Sequence, residues 1–220
     1  MSIAEFEDNF RHKGLRRRLI DELRMKGIRD ERVLIAFDKV PRHLFMDSGF
    51  VEFAYQDKAF PIAAGQTISQ PYTVAFMTEL LSLKQWDKVL EVGTGSGYQA
   101  AILSELGAKV YTIERQQELF LSCRHLLNRL GYNPQFFLGD GYEGKPTYAP
   151  YDKIIVTAGA PEIPRLLVEQ LAVGGRMVIP VGPINNQVMT SIDKVSSTEV
   201  AVCEHGNFVF VPMLKGVNGR

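Results

Sequence analysis

The sequence predicts an α/β fold, a mainly parallel sheet wound with helices on both faces, and three observations carry that prediction. Apolar runs at 88–92, 109–113, 135–138, 153–157 and 176–181 alternate with helical stretches at about 98–106, 116–130 and 162–171, the grammar of repeated βαβ units. The first run ends in Glu91 and leads into Gly93-Thr94-Gly95-Ser96-Gly97, with glycine on alternate positions. The next two runs also close on acids, Glu114 and Asp140, the second beside Gly141. Right-handed crossovers put a ligand outside the carboxyl ends of such strands, where Glu91 to Gly97, Glu114, Asp140 and residues 157–161 all fall.

Residues 1–80 read as helices and irregular connections. Leu15, Leu19 and Leu23 recur every four residues, as on an amphipathic helix, and Arg32 to Phe37 forms a short second helix before Val40-Pro41. Arg11, Lys13, Arg16, Arg17, Arg18, Arg24, Lys26 and Arg29 crowd this segment, interleaved with Asp21, Glu22, Asp30 and Glu31. That mixture suits a solvated, ion-paired helix face; an RNA-binding face is the alternative. After Gly182-Pro183, runs at 187–195, 199–204 and 208–213 read as antiparallel strands that close the sheet. The organisation expected is a single domain over 1–220, with a helical region at 1–80, a ligand-binding core at 87–182 and C-terminal strands at 183–220.

At 220 residues and 45% hydrophobic, the chain can bury a full core. Lysine plus arginine balances aspartate plus glutamate at 25 each, so no net field draws nucleic acid. No stretch of about 18 uncharged apolar residues marks a membrane span, and Met1 to Asp8 lacks the basic-then-apolar pattern of an export signal. A cytoplasmic location follows as the expectation. Cys123 and Cys203 show no metal-ligand spacing and read as reduced thiols, Cys123 on a helix; no metal is expected. His12, His43, His125 and His205 form no serine–histidine–acid order and read as structural or exposed.

Glycine suits a backbone that turns through positive φ or approaches a ligand too closely for a Cβ, and Tyr98 to Leu103 then opens a helix beneath the loop. A dinucleotide fingerprint spaces its glycines as Gly-x-Gly-x-x-Gly, whereas Gly97 comes one residue early. Glu114 follows the first glycine by roughly 20 residues, where such folds present a carboxylate to ribose hydroxyls, and an ionised carboxylate is acceptor-only. Asp140 can accept from an adenine amino group. Each acid taken singly also suits a solvated strand end or a helix N-cap. Preceded by Glu91, the glycine pattern resembles the first motif of S-adenosylmethionine-dependent methyltransferases.

A more specific resemblance covers roughly 200 residues. Gly65-Gln66-Thr67-Ile68-Ser69-Gln70-Pro71 is similar to the signature loop of the protein-L-isoaspartate (D-aspartate) O-methyltransferases. Val40 to Phe45, Val89 to Tyr98, Tyr151 to Ala158 and Gly174 to Gly182 resemble the same family in the same order, and the ending after Leu214 resembles its bacterial members. The resemblance implies a Rossmann-like, doubly wound methyltransferase fold that carries methyl from S-adenosylmethionine to the free α-carboxylate of isoaspartyl residues, leaving S-adenosylhomocysteine. It makes Ser69 the active-site serine, with Thr67 and Ile68 shaping the acceptor pocket. Glu91, Gly93, Thr94, Gly95, Ser96, Gly97, Glu114, Asp140 and Gly141 become the donor site, and Val211, within 208–212, lies along the substrate backbone. Ser69 also suits a helix N-cap with Pro71 in the first turn. The implied partners are isoaspartyl-containing proteins and peptides; neither nucleic acid nor membrane is expected, and a monomer is favoured although the sequence does not fix the oligomeric state. Rival readings are a methyltransferase for RNA or a small molecule, a nicotinamide-dependent oxidoreductase and a non-catalytic binding module.

Overall fold

The computed structural model describes residues 8–219; residues 1–7, where no export signal was expected, and Arg220 lie outside the described residues. The chain opens with α1 (Phe10–Met25), capped by Asn9, whose side chain accepts from the His12 amide. Leu19 and Leu23 are buried and Leu15 packs beside them, as the four-residue recurrence requires. On the outer face Arg24 pairs with Asp21 and Glu31, and Lys26 with Glu22, so the basic segment is largely self-compensated. α2 (Glu31–Lys39) is capped by Asp30 and lays Val33, Leu34 and Phe37 on the same core. A two-residue antiparallel ladder, β1 (Phe60–Pro61) with β2 (Thr67–Ile68), precedes α3 (Pro71–Leu81).

The alternating part matches its sequence pattern closely. β3 (Lys88–Val92), α4 (Tyr98–Glu105), β4 (Lys109–Glu114), α5 (Gln117–Arg129), β5 (Gln135–Leu138) and β6 (Tyr151–Val156) follow in turn. α6 (Arg165–Gln170) is shorter than the stretch expected from 162, because Pro164 keeps Ile163 out of helical geometry. It leads directly into β7 (Leu171–Val181), which begins earlier than the run at 176, through Gly174-Gly175. β8 (Gln187–Lys194) and β9 (Val200–Phe208) complete a seven-stranded sheet of order β5-β4-β3-β6-β7-β8-β9. β5 to β7 pair in parallel, and β8 and β9 are antiparallel additions.

One expected strand is absent. Residues 208–213 do not pair as a further ladder: the chain leaves the sheet after Phe208, the Gln187 side chain accepts the Phe210 amide, and Val211 and Met213 bond to Gly159 across the strand ends. Pro212 has no amide hydrogen to give a ladder, which favours this detour. The two faces of the sheet carry separate apolar layers. Val89 and Ile155 pack with α1 to α4, whereas Leu90, Ile154 and Met177 pack with Leu167 of α6. Strand order reverses between β3 and β6, and the crevice at such a switch point is where a doubly wound sheet binds its ligand.

Candidate active site

A cleft enclosing about 900 Å³, open mouth included, lies at that switch point. The loop after β3 lines it with Gly93, Thr94, Gly95 and Ser96; Glu114 comes from the end of β4 and Gly141 from beyond β5. The loop is tied down from both sides. The Gly93 amide donates to the Ile113 carbonyl at 2.9 Å, and Thr157, just after β6, donates its hydroxyl to the Gly93 carbonyl at 2.6 Å. Gly95 has φ +54 and nothing but Ile62 Cδ1, at 3.8 Å, near where a Cβ would stand, so only glycine holds this turn without strain.

Glu114 fits a ribose. Its Oε2 accepts from the Gly95 amide at 2.9 Å and its Oε1 from the Gln116 amide at 2.8 Å. Each oxygen has a second lone pair for one hydroxyl of a diol, and the carboxylate has no donor of its own to conflict. At Gly141 a Cβ would stand 2.5 Å from Val92 Cγ1, so bare backbone lies flat on the cleft floor. Val92, Ile113 and Met213 make that floor apolar, as a flat heterocycle requires. The donor set and the floor therefore suit an adenosine-bearing cofactor.

Three residues expected at the donor do not line the cleft. Glu91 is fully buried beneath it, on the same face of β3 as Val89. Its Oε2 accepts from Thr112, which bonds on to Thr94 in the loop, and its Oε1 has no hydrogen-bond partner among the described residues. Burial, with the nearby Glu114 charge, pushes its pKa up to about 8. Gly97 faces α5: its φ is +87, and a Cβ there would stand 2.9 Å from Leu127 Cδ1. Asp140 Oδ1 accepts from the Tyr142 amide and its Oδ2 from the Gly216 amide, fixing the C-terminal segment beside the cleft. In this geometry Glu91 is linked to the loop, Gly97 packs on α5 and Asp140 is bonded to the tail.

The acceptor-side residues converge. Thr67, Ile68 and Ser69 line the cleft opposite the glycine loop, and Val211 closes it from the C-terminal segment. A second, outer groove runs along Phe208 to Val211 and Tyr72, and Thr67, Ser69, Thr157 and Val211 line both depressions. The N-cap of α3 is Gln70, with no side chain capping it, so the Ser69 hydroxyl is not used as a cap. No lysine, arginine, aspartate or glutamate lines the outer groove among the described residues.

Thr157 stands at one of the strand ends expected to face the ligand, though no role was assigned to it, and it lines the cleft. Other lining residues were missed for want of a sequence signal. Gln99, on α4 with its amide donating to Thr78 Oγ1, and Met213, on the detour after β9, had none. Away from the cleft, Asp8, His12 and His43 place ligand atoms within 4.8 Å of one another. There the Asp8 carboxylate is held by both terminal nitrogens of Arg16 and the His43 Nδ1 meets the Tyr55 hydroxyl at 2.8 Å, so the cluster's carboxylate is already charge-compensated.

The sequence profile of the protein-L-isoaspartate(D-aspartate) O-methyltransferase family matches residues 14–218. A protein-L-isoaspartate O-methyltransferase of Christiangramia forsetii is 60% identical over 213 residues, covering 96% of this chain and 100% of the relative. That of Cytophaga hutchinsonii is 57% identical over 208 residues, covering 94% of each. Among solved structures, a Plasmodium falciparum protein described as a protein-L-isoaspartate O-methyltransferase in complex with S-adenosyl-L-homocysteine superposes with a TM-score of 0.80. It is 26% identical and covers 96% of this chain and 100% of its own.

Proposed function

The chain belongs to the protein-L-isoaspartate(D-aspartate) O-methyltransferase family, and from that premise we propose that Ser69 orients the acceptor carboxylate where the cleft and the outer groove meet. The protein is an S-adenosylmethionine-dependent carboxyl methyltransferase that acts on the free α-carboxylate of L-isoaspartyl residues in damaged proteins and peptides, initiating repair through a succinimide. When bound, S-adenosylmethionine supplies a methyl group on a sulfonium that departs as the thioether of S-adenosylhomocysteine. Gly93, Thr94, Gly95, Ser96, Glu114 and Gly141 hold that donor; Glu91, Gly97 and Asp140 support them from behind. Thr67, Ile68 and Val211 shape the passage to the substrate.

The observation that carries the assignment of Ser69 is its membership of both depressions, shared with Thr67, Thr157 and Val211. An α-carboxylate has a pKa of about 3.3 to 3.7 and is already anionic at neutral pH, so the reaction needs no general base. The protein's task is alignment and removal of water, and holding both reactants in line supplies on the order of 7 to 11 kcal/mol. Buried Val74 and Met77 provide apolar wall beside Ser69. One hydroxyl bonded to a carboxylate is worth about 1.5 to 3 kcal/mol, so Ser69→Ala lowers kcat/KM for an isoaspartyl peptide by roughly 10- to 150-fold. Wild-type turnover by that variant would refute the assignment.

An outer groove lined by no lysine, arginine, aspartate or glutamate among the described residues supports tolerance of many peptide sequences around the damaged residue, D-aspartyl residues included. Contacts to an extended backbone, offered by residues 208–211, suit such breadth. We further infer a cytoplasmic monomer that works on peptide, not on nucleic acid or at a membrane. Zero net charge supports the absence of a nucleic-acid partner, and no helix among the described residues is long and apolar enough to cross a membrane. The region 1–80, the core 87–182 and the strands 183–220 act on this reading as one domain, since α3 packs on β6 and β7.

A further inference from the structure

Ser69 sits in a short segment that makes only a two-residue ladder before it and a helix start after it. A reaction governed by alignment needs that segment fixed, and two side chains outside both depressions hold it. Arg42, from the Val40 to Phe45 motif, is fully buried. Its Nη2 donates to the Ser69 carbonyl at 2.9 Å and its Nε to the Ala54 carbonyl at 3.1 Å. The guanidinium lies 5.1 Å from the ring centre of Tyr98, the first residue of α4 after the glycine loop. Nη1 has no hydrogen-bond acceptor among the described residues. Arg42 thus touches the Ser69 segment on one side and the start of the helix behind the donor loop on the other.

Asp57 holds the following residues. Its side chain is only 3% exposed. Oδ1 accepts from the Tyr72 amide at 2.7 Å, and Oδ2 accepts from the Gln70 side chain at 2.9 Å and from Lys26 at the end of α1. The Gln70–Tyr72 turn is therefore bonded through backbone and side chain to one nearly dry carboxylate, itself anchored to the N-terminal helix.

We propose that Asp57 and Arg42 are positioning residues that together set Ser69 in register with the donor loop. The proposal rests on the reading of Ser69 given above. Neither group touches the reactants, so their loss misplaces the acceptor without emptying the donor site. Asp57→Asn is nearly isosteric; it keeps an acceptor for the Tyr72 amide but turns the other oxygen into a donor facing the Gln70 amide and Lys26. Arg42→Lys keeps the charge and loses the planar fork that reaches the carbonyls of Ala54, Lys58 and Ser69.

The test measures kcat and KM for an isoaspartyl peptide, the Kd for S-adenosylhomocysteine by calorimetry, and thermal unfolding in its presence. Asp57→Asn should lower kcat roughly 10- to 100-fold, the scale of a misplacement near 1 Å, while peptide KM and S-adenosylhomocysteine Kd stay within about threefold. Arg42→Lys should follow the same split if it folds, and Asp57→Asn decides the matter if it does not. In the Ser69→Ala background, Asp57→Asn should cost less than about threefold more, because the hydroxyl it positions is gone. Unchanged kcat, parallel loss of S-adenosylhomocysteine affinity, or full additivity with Ser69→Ala would each overturn the clamp. Full turnover by Ser69→Ala alone would refute both readings; an impaired Ser69→Ala beside a fully active Asp57→Asn would refute only this one.

Discussion

Glu91 is the penultimate residue of β3, the strand that leads into the glycine loop, yet its carboxyl is buried beneath the cleft and its pKa is raised from 4.5 to about 8. The folded chain therefore binds a proton that the unfolded chain releases over this interval. Stability from this group is intact below about pH 4.5, falls as pH rises through the interval, and levels off above about 8. Glu91→Gln removes the titration while retaining an acceptor for Thr112. Its melting temperature relative to wild type should rise between those pH limits; a pH-independent difference would show that Glu91 is not buried as a neutral acid. Gly95 poses a steric question, since at φ +54 a branched residue strains the turn and fills the space above the loop. Gly95→Val should abolish measurable S-adenosylhomocysteine binding in calorimetry, and retained affinity would displace the donor from this loop.

At the scale of elements, Gly97 binds one helix to another. A Cβ there meets Leu127 at 2.9 Å, so the early third glycine that distinguishes this motif from a dinucleotide site is used here to pack α4 on α5. Gly97→Ala should destabilise the protein by about 1 to 3 kcal/mol in urea unfolding. Leu127 is fully buried, so Leu127→Ala is itself costly, but the double variant should lose less than the sum of the two single losses, because the steric share of the Gly97→Ala penalty disappears while the backbone share remains; additive or greater-than-additive loss would contradict the packing role. The same elements show what sequence reveals. β3, β4, β5 and β6 were legible because each is an apolar run closed by an acid, a glycine or a threonine. The detour at 209–213 was not, since Val209-Phe210-Val211 has the pattern of a strand, and Pro212 together with tertiary bonds to Gln187 and Gly159 removes it from the sheet. Likewise the chemistry of Glu91 and Asp140 was legible, but not whether their oxygens face a ligand or are spent on Thr112, Tyr142 and Gly216.

Over the whole molecule, the order of strands brings together residues as far apart in sequence as Thr67, Gly95, Glu114, Thr157 and Val211. The glycine loop lies at the reversal between β3 and β6, and the Ser69 segment reaches the same point from the N-terminal side, while the tail after β9 reaches it from the C-terminal side. Net charge is zero, and among the described residues no lysine, arginine, aspartate or glutamate lines the outer groove. Recognition then depends on one misplaced carboxylate and the extended backbone around it. The most direct measurement incubates the protein with methyl-labelled S-adenosylmethionine and paired peptides that differ only in an aspartyl or isoaspartyl linkage, and traps the volatile methanol released afterwards. Label and methanol from the isoaspartyl peptide alone are the predicted result; equal labelling of both peptides, or label that never appears as methanol, would contradict it.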